Sequence, residues 1–235
     1  MKAHFLFDEV QSTMVEYERI RNISRPDTDV YVRSLAQTTG IGRSGHRWAS
    51  PRGGLWFTFA LHHEETVDSF ALFAGHCLHK LLSRLFMIAD LSIKWTNDLY
   101  YQDKKLAGLL CKYHMADHTY VIGLGLNTNN KIKASRAVPN PISLKEILGF
   151  EVSNRKLMQL FIHEVYSNQH LLNNPFEYLD YCNDHLYGKG RMGIVEQGSK
   201  SITGKIVRLD KRGNLLMDVG RMKSINYGSL KVLGD

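Results

Sequence analysis

"TTGIGRSGHRW", residues 38–48, holds Gly40, Gly42 and Gly45 in the spacing G-x-G-x-x-G. That spacing makes the phosphate turn of a dinucleotide fold only where a strand enters it and a helix leaves it, since the helix amino end holds the pyrophosphate. The first condition is met. "VYVRSLAQT" (30–38) sets Val30, Val32, Ser34 and Ala36 on one face and reads as a strand. The second is not: after Gly45 come His46, Arg47, Trp48, Pro51, Gly53 and Gly54, which would break a helix before its second turn. The stretch predicts a mobile, cationic, glycine-rich loop whose amides and Arg43 wrap an anion without a helix dipole. A nicotinamide site is disfavoured.

Working outward, periodicity predicts a helix over 12–23, a strand over 53–61 and a long apolar helix over 68–86. Strands follow near 92–96, 105–114 and 120–128, the first two joined by the polar turn "NDLYYQDK". Short turns between these strands imply an antiparallel or mixed sheet of an α+β fold. A second amphipathic helix is expected over 154–172. From about residue 190, glycines at 193, 198, 204, 213, 220 and 228 punctuate short apolar runs, the pattern of a small β-barrel. The expected organisation is therefore a main domain over 1–188 and a barrel domain over 189–235.

At 235 residues, 43% hydrophobic and 23% charged, the chain has the composition of a soluble globular protein. A formal charge of +7 is compatible with a phosphorylated substrate, an acidic partner or nucleic acid. Cys77, Cys111 and Cys182 have no C-x-x-C spacing, which argues against a disulfide framework or a zinc knuckle and for reduced thiols in the cytoplasm. No secretory h-region opens the sequence, and the 68–86 helix, interrupted by His76, His79, Lys80 and Arg84, reads as core rather than as a membrane span. No membrane partner is expected.

"IKWTNDLYYQDKKLAGLL" (93–110) gathers Lys94, Trp95, Asn97, Asp98, Lys105 and Gly108 near the end of one strand and the start of the next. Asp103 and Lys104 read as a solvated turn, whereas Lys105 opens an otherwise apolar strand and Gly108 leaves its backbone open to close approach. "GLGLN" (123–127) places Gly123 and Gly125 inside a strand, followed by Asn127, which asks for a bulge, close packing or a ligand at the backbone. His62 and His63 before Glu64 and Glu65 have metal-binding residue types, but neighbours in a strand point to opposite faces, so a surface turn is expected.

Taken together, the loop, the 93–110 segment and "YVIGLGLN", in this order and with a barrel tail, resemble the biotin protein ligases. The family's patterns are G-R-G-R-x-G-R, then K-W-P-N-D with K-x-x-G-I-L, then G-I-G-x-N. The resemblance covers nearly the whole chain and implies a class II aminoacyl-tRNA synthetase-like catalytic domain plus an SH3-like barrel. It implies ATP, biotin and Mg2+, formation of biotinyl-5′-AMP, and transfer to a lysine of the biotin carboxyl carrier protein of acetyl-CoA carboxylase or a similar domain. By position, Ser12, Thr13 and Gln37 would line the biotin ureido end. Gly40, Ile41, Gly42 and Arg43 would close over carboxylate and phosphate. Trp48 would cover the adenine side, and Lys105, beside Gly108, would sit at the forming acyl-phosphate bond. Asn97, Asp98, Gly123, Gly125 and Asn127 would meet nucleotide, metal or the incoming lysine, with Asp98 the magnesium ligand or the group that deprotonates that lysine.

Departures are specific. Ile41 and His46 stand where arginine is usual, so one cation is lost and one becomes pH-dependent. Thr96 replaces the proline of K-W-P-N-D, and Met14 stands where many members have asparagine. The chain starts at the catalytic domain, so the expectation is a ligase without the helix-turn-helix repressor domain, monomeric or dimerising with ligand. Two rivals are a lipoate or octanoyl ligase of the same fold and a nucleic-acid-binding module, the latter opposed by basic residues scattered rather than grouped with stacking aromatics.

Overall fold

Where half-buried and exposed side chains alternate from Lys2 onward, the chain forms an edge strand, β1 (Lys2–Val10), in the computed structural model. The described residues are 2–25, 28–132, 134 and 140–234. Along the chain follow α1 (Thr13–Ile23), β2 (Asp29–Ile41), β3 (Arg47–Ser50), β4 (Leu55–His62), α2 (Phe70–Phe86), β5 (Leu91–Lys94), β6 (Asp98–Tyr101), β7 (Lys104–His114) and β8 (Thr119–Leu126). After these come α3 (Leu144–Leu148), α4 (Asn154–Ser167), α5 (Phe176–Asp184), β9 (Met192–Gln197), β10 (Lys200–Leu209), β11 (Leu215–Asp218), β12 (Met222–Ile225) and β13 (Ser229–Val232). They group into two units, one of residues through Thr66 with Tyr101–Ser167, the other of Val67–Tyr100 with the chain from Asn168 on.

In the first unit the strands run in the order β1-β2-β4-β8-β7, with β3 beside β2. β1 pairs parallel with β2, Phe5 opposite Val32. Parallel neighbours need a crossover, and α1 is that connection. Its Met14, Tyr17 and Ile20 bury against Val30, Val32 and Val121. The other pairings are antiparallel. On β4, Phe57 and Phe59 stack at 5.5 Å and take Phe161 of α4 edge-on.

Several expectations are corrected here. The amino end, for which no element was expected, is a strand, and its parallel pairing with β2 makes the sheet mixed, within the expected antiparallel or mixed class. β2 runs on to Ile41 and β3 returns along it, so the stretch read as an open loop is a hairpin around a single 3-10 turn, Arg43–Gly45. Cross-strand bonds, with Gly42 N–H donating to the His46 carbonyl at 2.7 Å, outweigh the breaking tendency of the glycines. The "NDLYYQDK" turn contains β6, where Leu99 is fully buried. The helix expected over 154–172 ends at Ser167 and continues as a 3-10 turn, Gln169–Asn173.

The second unit packs α2 with α5 beside the β5–β6 hairpin. Residues from Met192 form an antiparallel sheet in the order β12-β11-β10-β9-β13, lined inside by Val195, Ile206, Leu215, Met217 and Leu230. Where a small barrel was expected, five antiparallel strands are present, with β12 and β13 at the two ends of this order. The expected boundary at 188/189 falls inside this unit, between α5 and β9. No helix of the described residues is long and apolar enough to cross a membrane.

Candidate functional site

Serine is favoured just before a helix because its oxygen accepts an N–H of the first turn. Ser12 precedes α1, yet its side chain makes no such bond. Gln37 of β2 does that work: its Oε1 accepts from Thr13 N at 2.8 Å and from Thr13 Oγ1 at 3.2 Å. Gln37 Nε2 then donates to Ser50 Oγ at 2.7 Å, which donates to the Trp48 carbonyl at 3.1 Å. Thr58 Oγ1 donates to Thr13 Oγ1 at 3.0 Å. Four elements are thereby tied together, and the Ser12 hydroxyl is left buried with no hydrogen-bond partner. A buried hydroxyl without a protein partner is costly and suits a ligand that completes it. Ser50 and Thr58 were not anticipated. The signal was present for Thr58, a single polar residue within the apolar run of β4, since a buried hydroxyl there needs a partner.

Trp48 of β3 lies flat on the backbone of β8. A Cβ built on Gly125 would fall 2.5 Å from its Cε2 and Nε1, so the glycine is there to admit the indole. Opposite Gly125 in the ladder is Gly108. Lys105 Nζ stands 4.9 Å from the centre of a Trp48 ring, a cation held over an aromatic face. The Trp48 indole N–H is buried without a partner, a second unmet donor. Gly125→Ala is expected to push the indole off the sheet and to cost about 1–3 kcal/mol of stability. Unfolding in urea, together with the tryptophan emission maximum, measures both; an unchanged spectrum would contradict the packing.

The main chain of residue 105 is anchored on both sides. Lys105 N–H donates to the Asn140 carbonyl at 2.7 Å, and its carbonyl accepts from Ile142 N–H at 3.0 Å. Asn127, expected to meet a ligand, is buried and occupied: its Nδ2 donates to the Lys105 carbonyl at 3.5 Å and its Oδ1 accepts from Asn130 Nδ2 at 3.3 Å. It holds the strand end that presents Lys105. Gly123 is explained by Met14, whose Sδ lies 2.6 Å from where a Cβ would be. Gly40 pairs with Trp48 in the β2–β3 ladder; Ile41 is exposed, and Arg43 is half-buried in the turn.

Residues 6–129, more than half of the chain, match the Biotin/lipoate A/B protein ligase family. The chain belongs to that family. It is 30% identical over 195 residues to the bifunctional ligase/repressor BirA of Escherichia coli, covering 77% of this chain and 59% of that protein. To the biotin–[acetyl-CoA-carboxylase] ligase of Mycobacterium tuberculosis it is 26% identical over 196 residues, 78% of this chain and 71% of the other. Its fold matches that of a biotin protein ligase from Aquifex aeolicus in complex with biotin and ATP, with a TM-score of 0.82, 26% identity and 99% of both chains covered. The alignment with biotin–protein ligase 2 of Arabidopsis thaliana spans only 32% of that protein, and less than two thirds of BirA is covered.

The match to the ligase family ends at Asn129, and the K-W-T-N-D segment, 94–98, falls in the second unit. There Asn97 sits half-buried between β5 and β6, its Oδ1 accepting from Thr96 Oγ1 at 3.4 Å, and Asp98 opens β6. Among the described residues no three His, Cys, Asp or Glu side chains are grouped to hold a metal ion. In the histidine–glutamate stretch at 62–65, His62 Nε2 lies 3.6 Å from Glu64 Oε1 at the exposed surface.

Proposed function

We propose that this chain is an ATP-dependent biotin protein ligase. The observation that carries this reading is the buried, unpartnered Ser12 hydroxyl next to a helix start that Gln37 has already capped, a polar end waiting for a ligand's acceptor. The similarity along 99% of a ligase bound to biotin and ATP supports it. In the first step a biotin carboxylate oxygen attacks the α-phosphorus of ATP, the bond to the bridging oxygen of the β-phosphate breaks, and pyrophosphate leaves. In the second, the amine of a carrier lysine attacks the acyl carbon and AMP leaves.

In this reading Ser12, with Thr13 and Gln37, meets the ureido group, and Trp48 flanks the adenine. Lys105 and Arg43 offset the charge that builds as one anion attacks another. Asn97 contacts the nucleotide. Magnesium typically keeps waters and takes one or two protein carboxylates plus substrate phosphates, a demand that a single Asp98 meets. Asp98 is also positioned in sequence to accept a proton from the attacking ammonium. The acceptor is a biotin carboxyl carrier domain, and a division of labour at 188/189 between catalysis and a small carboxyl-terminal domain belongs to the same proposal.

Thermal shift tests the reading. Biotin with Mg-ATP is expected to raise the Tm by several degrees, because a tightly held adenylate stabilises by mass action. Lipoate with Mg-ATP and a single-stranded oligonucleotide are expected to leave it unchanged. A shift with lipoate alone would move the assignment to lipoyl transfer, and one with the oligonucleotide alone would remove it from acyl transfer.

A further inference from the structure

Within the second unit a closed ring of contacts surrounds β5. His79 of α2 is buried, with both ring nitrogens used: Nε2 lies 2.9 Å from the Leu91 carbonyl and Nδ1 2.8 Å from the Tyr181 hydroxyl. A carbonyl only accepts, so Nε2 carries the proton, and Nδ1 accepts from the Tyr181 O–H. Tyr181 of α5 stacks on His185 at 4.3 Å, and His185 meets His79 at 4.4 Å. From His185 the chain returns to β5: Ile93 N–H donates to the His185 carbonyl at 2.8 Å, and Tyr187 N–H donates to the Ile93 carbonyl at 2.9 Å. Tyr187 then stacks on Tyr100 of β6 at 4.7 Å. One segment, 185–187, thus grips both strands of the hairpin whose turn carries Asn97 and whose second strand opens with Asp98.

We infer that His79 and Tyr181 are positioning residues: through Leu91 and the 185–187 segment they fix the β5–β6 hairpin, and with it Asn97 and Asp98. The inference rests on the proposed reading for what Asn97 and Asp98 do, but not for the mechanics. A side chain that only filled core would need no pair of directed bonds to two different elements. Both bonds here are directional, and the free end of the hairpin is secured separately by Trp95 Nε1 donating to the Gly213 carbonyl at 3.0 Å.

Three variants of the full chain test this. Tyr181→Phe removes one hydroxyl and leaves the stack; His79→Leu removes both bonds; His79→Gln restores a donor toward Leu91 and an acceptor toward Tyr181. Amide exchange of peptides covering 91–98, measured by mass spectrometry, should be about tenfold faster in Tyr181→Phe and faster still in His79→Leu. In His79→Gln it should return toward the wild type. With biotin, Mg-ATP and a carrier domain, kcat for transfer should fall in the same order while KM for biotin stays within about twofold. Should His79→Leu fail to fold, Tyr181→Phe and His79→Gln decide alone. Unchanged exchange in 91–98 for Tyr181→Phe, or no recovery in His79→Gln, overturns the inference. A wild type that releases no pyrophosphate refutes the proposed function and leaves the exchange result to judge the positioning.

Discussion

Lys105→Ala is expected to slow single-turnover pyrophosphate release by about 10²- to 10³-fold while the Kd for biotin stays within about twofold. The size follows from where the charge acts. The ammonium stands over the Trp48 ring, the side chain that the proposed reading sets beside the adenine. A cation that meets charge developing only in the transition state affects the rate and leaves ground-state binding almost untouched. The variant should fold, because both backbone bonds of residue 105 and the Asn127 contact go to its main chain. An unchanged single-turnover rate would take Lys105 out of the chemistry.

A second large effect is expected from acid. His76 of α2 is buried with neither ring nitrogen hydrogen-bonded, and burial, aided by Lys80, His79 and His185, pulls its pKa down to about 4. Burial also lowers His79 to about 4, against the opposing pull of the Leu91 carbonyl and with His185 adding to the fall. The rings facing His76 from α5 are Tyr178 and Tyr181. In the unfolded chain both histidines titrate near 6.5. The unfolded state therefore binds protons that the folded state refuses, so stability is full above about pH 6.5 and is lost as the pH falls toward 4. Each group contributes on the order of 3 kcal/mol to that loss, large beside a typical total of roughly 5–15 kcal/mol. Urea unfolding of the wild type and of His76→Phe at pH 7.5, 5.5 and 4.5 measures it. The phenylalanine variant should lose distinctly less stability on acidification, and parallel curves would show that His76 carries no part of the acid response.

The elements legible in the sequence are those with long, clean periods. α2 has apolar residues at helical spacing along its whole length, and β7 and β8 alternate or run apolar across a short turn. β1 was hidden because an edge strand is only half covered and its partner is β2, reached across α1. β6 was hidden because three of its four residues are only half-buried, leaving Leu99 as its sole core signal. In the 38–48 hairpin the local preference of glycine for loops lost to pairing with β3, which the local sequence does not report. The site residues were legible mostly as a combination of motifs: nothing in the period of β2 singles out Gln37 as the cap of α1. The His79–Tyr181–His185 ring had no signal at all, since His79 lies 102 residues before Tyr181 and each member passes for an ordinary core or surface residue.

Met14 and Gly123 have the relation of a casting to its mould. The thioether occupies the volume a side chain at 123 would need, so neither position is free to vary alone. Enlarging residue 123 demands that residue 14 shrink, and placing the family's asparagine at 14 would leave a hollow over bare backbone one residue from the helix start that Gln37 caps. This piece of packing is thus written twice, at sites 109 residues apart along the chain. Any redesign of this face of the sheet would have to treat the two as a single letter, and swapping segments between relatives at any point between them would mismatch the halves.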